Sequence, residues 1–192
     1  MLLSEILKII KERRSIRRYK PDPIPKDILE KVIEAACWAP SYMDWQNWYY
    51  VVVGGEKKKK LFSYLEDSFK KIIECLEEDI SEGVKKRTSF FLDVANDAPN
   101  IIAVFSDVDL TTTPEALFSV AASVENLLLT AHSLGLGACW VSSALYIAED
   151  LSEFLGIADK ELVGLITIGY PNEYPEPSPR KSGRVRWEGV DG

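Results

Sequence analysis

The sequence predicts an α+β domain in which helices flank a central mixed sheet, and three observations carry the prediction. Runs dense in β-branched and aromatic residues, Trp48 to Val53, Ile101 to Phe105 and Leu162 to Ile168, read as strands, with a further strand entered through Gly135 to Ser143. Apolar residues at helical spacing fill most of the remaining chain. The order is not a strict alternation of strand and helix: three helix patterns are interleaved with the first strand, followed by strand, long helix, strand, short helix and strand. The 192 residues fit a single domain, 1–192, long enough to bury roughly 70% of the unfolded surface.

Leu2, Leu3, Ile6, Leu7, Ile9 and Ile10 recur at helical spacing among Lys and Glu, giving a first amphipathic helix that ends near Arg13. Pro21, Pro23 and Pro25 interrupt regular structure, and Ile28, Leu29, Val32, Ile33 and Ala36 define a second helix stopped by Pro40. Ser41 to Asn47 reads as a loop, and the strand from Trp48 closes at Gly54-Gly55. Lys57 to Lys60 open a third helix carrying Leu61, Phe62, Leu65, Phe69, Ile72, Ile73 and Leu76. The lysine run is either a solvated first turn or a patch for polyanions. It is not a phosphate loop, because the glycine spacing and the Lys-Ser/Thr pair are missing. Ser81 to Asn96 is polar and mixed, either a lid or a plain connection.

Thr111, Thr112 and Thr113 are cap candidates ahead of Pro114, a proline suited to the first helical position. From Glu115 to Leu134 the chain is apolar on most faces, so this helix belongs in the core or against a second subunit. Gly135 and Gly137 end it. The order of helix before strand and the missing third glycine leave a dinucleotide-binding fingerprint unsupported. A short helix from Ala148 to Leu155 stops at Gly156, and Pro171, Pro175, Pro177 and Pro179 then give an extended tail carrying Arg180 and Lys181.

Composition narrows the function. A net charge of −7 and a pI near 4.9 repel nucleic acid and anionic membranes, so neither is expected as a partner. No uninterrupted apolar run reaches the roughly 20 residues of a membrane span, and the N-terminus lacks a basic segment followed by an apolar core, which reads as cytoplasmic. Cys37, Cys75 and Cys139 are odd in number and far apart, so each reads as a small core hydrophobe, with no disulfide framework and no metal site. His132 is the only histidine, set in an apolar helical stretch where packing is the ordinary role. Any chemistry must therefore come from something other than a histidine cluster.

The most unusual stretch is Arg13-Arg14-Ser15-Ile16-Arg17, three guanidinium groups and a hydroxyl within five residues of an acidic chain. Arginine's planar fork of donors suits phosphate oxygens, and a phosphomonoester carries about −1.5 to −2 charge at pH 7. The pentapeptide alone reads rather as a solvated basic turn after a helix. The residues C-terminal to it change that balance. After a helix comes Ala39-Pro40-Ser41-Tyr42-Met43-Asp44-Trp45-Gln46-Asn47-Trp48 and an apolar strand to Val53. The run from Arg13 to Val53 closely resembles the start of the FMN-dependent nitroreductase family, whose pattern is Arg-Arg-Ser-x-Arg, a helix, then Ala-Pro-Ser-x-x-Asn-x-Gln-Pro-Trp and a strand. Leu134 to Ser143 and the basic tail resemble it more weakly.

The resemblance implies the nitroreductase-like homodimeric fold, with FMN at the subunit interface and NADH or NADPH as electron donor. It implies that Arg13 and Ser15, with Arg14 beside them, bind the phosphate, and that Arg17 sits at the flavin pyrimidine edge, where a fixed cation favours the anionic reduced form. It implies that Pro40, Ser41, Asp44 and Gln46 reach the flavin from the partner subunit. Trp140 and Val141 would line one face of the ring, the amides near Ser142 and Ser143 its polar edge, and Arg180 and Lys181 would complete the phosphate site. No side-chain nucleophile is required, so no residue is assigned a covalent role.

Two positions depart from the family pattern. Asp44 replaces Asn, so that it either faces solvent or biases the pocket against anions, and Asn47 replaces Pro, which should loosen the turn. Tyr42, Trp45 and Trp48 either stack on a planar substrate or fill an interface. The implied function is electron transfer from NAD(P)H through FMN to nitroaromatic, quinone or similar planar acceptors by a ping-pong mechanism. The alternatives are a specialised flavin enzyme of the same fold, dehalogenating or flavin-fragmenting, and a non-catalytic flavin-binding module.

Overall fold

The computed structural model describes residues 2–74 and 78–190. Cys75 and Leu76, read above as a core cysteine and as part of the third helix, lie outside the described residues. In chain order the elements are α1 (Leu2–Glu12), α2 (Lys26–Cys37), β1 (Trp48–Gly54), α3 (Gly55–Glu74), α4 (Glu78–Asp97), β2 (Asn100–Ser106), α5 (Glu115–Ser133), β3 (Gly137–Val141), α6 (Ala148–Leu155) and β4 (Glu161–Gly169). No described helix is long and apolar enough to cross a membrane.

The strands form one sheet in the order β1-β2-β4-β3, and all three pairings are antiparallel. Among the described residues, parallel pairing is confined to a single bridge, Ser15 to Ala138, on the free side of β3. The continuous apolar runs do not distinguish these arrangements, because helices cover both faces of this antiparallel sheet and remove the usual polar alternation. In β2, Ile101, Ala103 and Phe105 point into a core with α3 and α6, while Ile102 and Val104 point into a second core with α2 and α5. Every side chain from Ile101 to Ser106 is buried, as the two-residue period demands of a strand covered on both sides.

Polar pins tie the layers together. The Tyr50 hydroxyl of β1 shares a hydrogen bond with Ser123 Oγ of α5, and Ser123 Oγ contacts the Ala36 carbonyl of α2 at 2.8 Å. Burial pushes the Tyr50 phenol up to about 12, so it stays neutral at physiological pH. The C-terminus of α5 is closed by Gly135 at φ +78, with the Gly135 amide donating to His132 O and the Leu136 amide to Ala131 O. That pair of bonds satisfies carbonyls a helix end leaves open, and it needs the left-handed residue glycine provides.

Several expectations change. Ser81 to Asn96 belongs to the helix α4 rather than to a plain connection; its polarity is that of a helix with one packed stripe. The threonines before α5 do not cap it with their side chains. Instead Asp109 accepts the Thr111 amide and hydroxyl at 2.8 and 2.6 Å, closing its own turn, and Pro114 sits just ahead of the helix. Cys37 is exposed rather than core, because it ends α2 on the open side next to Trp38, whereas Cys139 is buried.

Asn47 does not loosen its turn. It is fully buried, and its Nδ2 donates to Ser106 Oγ at 2.9 Å and to Ala116 O at 3.1 Å while its backbone carbonyl accepts the Asp107 amide at 3.0 Å. The side-chain amide supplies the rigidity that a proline ring would have supplied.

Candidate functional site

The arginine segment leaves α1 with the Arg13 amide still bonded to Ile9 O at 2.9 Å, then runs along the free edge of β3, where the Ile16 amide donates to Ala138 O at 3.0 Å. Gly137 makes that approach possible: a Cβ there would lie 2.7 Å from Ile16 Cβ. Below it, the Tyr19 hydroxyl bonds to Ile16 O and lies 2.8 Å from Thr167 Oγ1, anchoring the segment to β4. Burial drives the Tyr19 phenol well above its ordinary range, against the Thr167 hydrogen bond, so it acts as a neutral strut.

Carboxylates hold the segment's backbone. The Arg17 amide donates to Glu173 Oε1 at 2.5 Å, the Tyr19 amide to Asp97 Oδ2 at 2.5 Å, and the Arg18 guanidinium to Asp93 Oδ2 at 2.6 Å. Arg18 to Lys20 also pairs with the start of the tail, through Lys20 N to Tyr170 O at 2.8 Å and Asn172 N to Arg18 O at 2.9 Å.

The guanidinium groups themselves are under-used. Arg14 Nη1 donates to Lys11 O and Arg13 O at 2.6 and 2.7 Å, and Arg17 Nη1 to Ser15 O at 3.2 Å. Arg13 Nε is 3.7 Å from Glu125 Oε1, an ion-pair distance too long for a hydrogen bond. The Nε atoms of Arg13, Arg14 and Arg17 are all buried without a hydrogen-bond partner among the described residues. Buried donors are ordinarily satisfied, so three orphans on cationic side chains of one five-residue segment fit an anionic group such as a phosphate.

Beside Arg17 lies a cavity of about 420 Å³ lined by Arg17, Lys86, Phe90 and the stretch from Cys139 through Trp140, Val141 and Ser142 to Ser143. Its volume falls in the range of small-molecule and cofactor sites. Trp140 Nε1 is a further buried donor without a partner. Burial raises the Cys139 thiol, opposed by Arg17 and by a hydrogen bond with Ser15, which keeps it protonated. The Arg17 guanidinium stacks over the Phe90 ring at 5.7 Å from its centroid.

The other expected residues lie elsewhere in the protomer. Pro40 and Ser41 line a separate cavity of about 300 Å³ with Tyr42, Glu115, Phe118, Ser119 and Ala122. The loop there is tied by Tyr42 N to Ser119 Oγ at 2.9 Å and Gln46 N to Ser41 Oγ at 3.0 Å. Met43, Asp44 and Gln46 all have positive φ, at 51°, 57° and 49°. Asp44 is exposed and accepts Gln46 Nε2 at 3.0 Å, so in the protomer its carboxylate faces solvent. Asn and Asp are the non-glycine residues that best tolerate the left-handed region, so the exchange of one for the other preserves the loop's backbone. Arg180 and Lys181 are exposed on the tail.

A family model described as the nitroreductase family matches residues 10–170. The chain belongs to the nitroreductase family. It is 30% identical over 177 residues to a protein of Methanothermobacter thermautotrophicus provisionally described as an NADH dehydrogenase/NAD(P)H nitroreductase, covering 89% of this chain and 80% of that one. It is 27% identical to an iodotyrosine deiodinase of Thermotoga neapolitana, covering 93% and 95%. A crystal structure of a nitroreductase with bound FMN from Desulfitobacterium hafniense superposes with a TM-score of 0.77 at 25% identity, covering 96% and 98%.

Within this nitroreductase-family chain, sequence reasoning missed Lys86, Phe90, Glu173 and the role of Gly137. The signal for the first two was present but faint. Lys86, Phe90, Asp93 and Asp97 fall at i, i+4, i+7 and i+11 of α4, one helical stripe facing the arginine segment. Polar residues on a packed stripe do not register as a hydrophobic period.

Proposed function

We propose that the chain is an FMN-dependent oxidoreductase that passes electrons from NADH or NADPH to nitroaromatic, quinone or similar planar acceptors in a ping-pong order, donor and acceptor using one cavity in turn. The observation that carries this reading is the set of three buried, unpartnered arginine Nε atoms in one five-residue segment, of which Arg17 lines the β3 cavity. Nothing in the fold requires three such donors, and a phosphorylated, ring-bearing cofactor satisfies them. When bound, FMN supplies reversible two-electron exchange, which no side chain here can.

The chain's own residues bind and orient. Arg13, Arg14 and Ser15 hold the phosphate, and Arg17 places positive charge at the cavity edge, where electron density accumulates on reduction. Trp140 and Val141 back the ring, while Ser142 and Ser143 meet its polar edge. Pro40, Ser41, Asp44 and Gln46 come from a second subunit, and Arg180 and Lys181 complete the phosphate site. Support for a homodimer is physical: the Pro40 loop faces a different cavity of the protomer, and the tail carries Tyr174 and Trp187 at 82% and 75% exposure. The cytoplasm is the compartment we assign.

The deciding experiment is an anaerobic absorbance spectrum of the FMN-supplemented protein before and after NADH or NADPH. Loss of the flavin band on adding nucleotide is expected; a protein that takes up no flavin overturns the reading. Arg13→Ala should weaken FMN affinity roughly ten- to hundredfold through lost charge-assisted hydrogen bonds. Arg17→Ala should keep more flavin and slow its reduction, and wild-type reduction kinetics in that variant would refute the role given to Arg17. A second reading, reductive dehalogenation, is favoured by the iodotyrosine deiodinase relative. Halide release from an iodophenol under the same conditions tests it.

A further inference from the structure

We infer that the side of the β3 cavity bordered by Lys86 and Phe90, opposite the Trp140 and Val141 wall assigned above to the cofactor ring, selects planar aromatic acceptors that carry a carboxylate or comparable anionic group, and that Lys86 is the side chain that receives that charge. The inference rests on the oxidoreductase reading above and names its substrate class. Among the described residues, the charged ones lining the cavity are Arg17 and Lys86, with no carboxylate, in a chain of net charge −7. A cavity of one sign in an oppositely charged molecule concentrates counter-charged ligands at its mouth.

Lys86 is the cation with spare capacity. Arg17 already donates to Ser15 O and stacks on Phe90, and its remaining Nε belongs to the cofactor edge. Lys26, Lys31, Lys59 and Lys70 each sit beside a carboxylate at 3.2, 3.3, 2.6 and 3.4 Å, whereas Lys86 has no carboxylate partner among the described residues. The two acids farther along the α4 stripe do not neutralise it: Asp93 is taken by Arg18 and Asp97 by the Tyr19 amide. Lys86 also stands one turn from Phe90 on the same helix face, a spacing of roughly 5–6 Å between Cβ atoms, and both side chains line the cavity. Asp44, bonded by Gln46 and exposed, is not among the residues lining this cavity.

The chemistry leaves the anionic group untouched. A nitroarene takes two electrons and two protons, so that nitroarene, NAD(P)H and a proton yield nitrosoarene, NAD(P)⁺ and water. Lys86 acts on binding, and its effect belongs in KM rather than kcat.

The test compares 4-nitrobenzoate with 4-nitrobenzyl alcohol in FMN-loaded wild type, Lys86→Gln and Lys86→Arg. The ratio of kcat/KM for the acid to that for the alcohol should fall about fivefold in Lys86→Gln, as for a partly exposed ion pair, through KM, and be restored in Lys86→Arg. Raising salt to about 0.5 M should erase the wild-type preference. Benzoate binding to the oxidised protein, read from perturbation of the flavin band, should weaken in parallel. An unchanged ratio overturns the inference, as does an equal fall for both acceptors. So does a Lys86→Gln variant whose only defect is slower reduction by the nucleotide, which would assign Lys86 to the donor's phosphates. A wild type that takes up no FMN sinks the oxidoreductase reading and this one together, whereas turnover of the alcohol with an unchanged ratio sinks this one alone.

Discussion

His132, the sole histidine, reports on the arginine segment at the residue scale. It lies half-buried in the last turn of α5, and burial lowers its pKa below the ordinary 6.5, with Arg13 and Arg14 pushing the same way against Glu12. The sign follows from the folded value lying below the unfolded one: neutral His132 contributes stability that is present above about pH 6.5 and lost as pH falls through the folded pKa. A phosphate held by Arg13 and Arg14 would offset their repulsion, so the pKa should rise when FMN binds. An NMR titration of the single imidazole with and without FMN measures both, and identical curves would place the phosphate elsewhere. Gly137 shows the complementary residue-scale limit. The sequence explains it as a helix terminator, but Gly135 makes the terminating turn, and Gly137 is required by Ile16, a contact from more than a hundred residues away.

At the scale of elements, two polar features carry roles that the hydrophobic pattern hides. Asn47 joins the start of β1 to the end of β2 and the first turn of α5 through two side-chain hydrogen bonds. Asn47→Ala removes two buried hydrogen bonds, although Ser106 Oγ keeps the Val108 amide as a donor, and should lower stability by about 1–3 kcal/mol, seen as a lower urea midpoint, with FMN stoichiometry kept at saturating cofactor. A midpoint equal to wild type would mean that water replaces both bonds. The α4 stripe is the second feature, since Asp93 and Asp97 brace the arginine segment while Lys86 and Phe90 reach the cavity. Strands and long helices were legible because burial writes periods of 2 and 3.6 into the chain. α4 was not, because its informative face is charged, and charge on a helix reads as solvent exposure until its partners are known.

At the scale of the whole molecule, the protomer leaves apolar surface without cover. Trp38 and Phe118 are 81% and 70% exposed, as are most side chains of the tail beyond Pro175. Such surface is characteristic of an association face. A chain ending at Tyr174 keeps the Glu173 bond to the Arg17 amide but loses Arg180, Lys181, Val185 and Trp187. It should sediment as a monomer and bind FMN at least about tenfold more weakly, the loss expected when charged hydrogen-bond donors are removed. A truncated dimer with unaltered FMN affinity would remove the tail from both roles.

The sequence by itself determined the α+β class, the position of nearly every strand and helix, and the arginine cluster with its family. Each of these is written locally, in the period of apolar residues or in a contiguous motif. Only the tertiary structure decided that the sheet is antiparallel, that Asn47 rigidifies its turn, that Cys37 is exposed, and that α4 furnishes a lysine and a phenylalanine to the cavity on β3. Those facts depend on which side chains meet across long stretches of chain. A charge, an amide or a glycine acquires its role from the partner it meets, and the partner is fixed by packing rather than by the neighbouring residues.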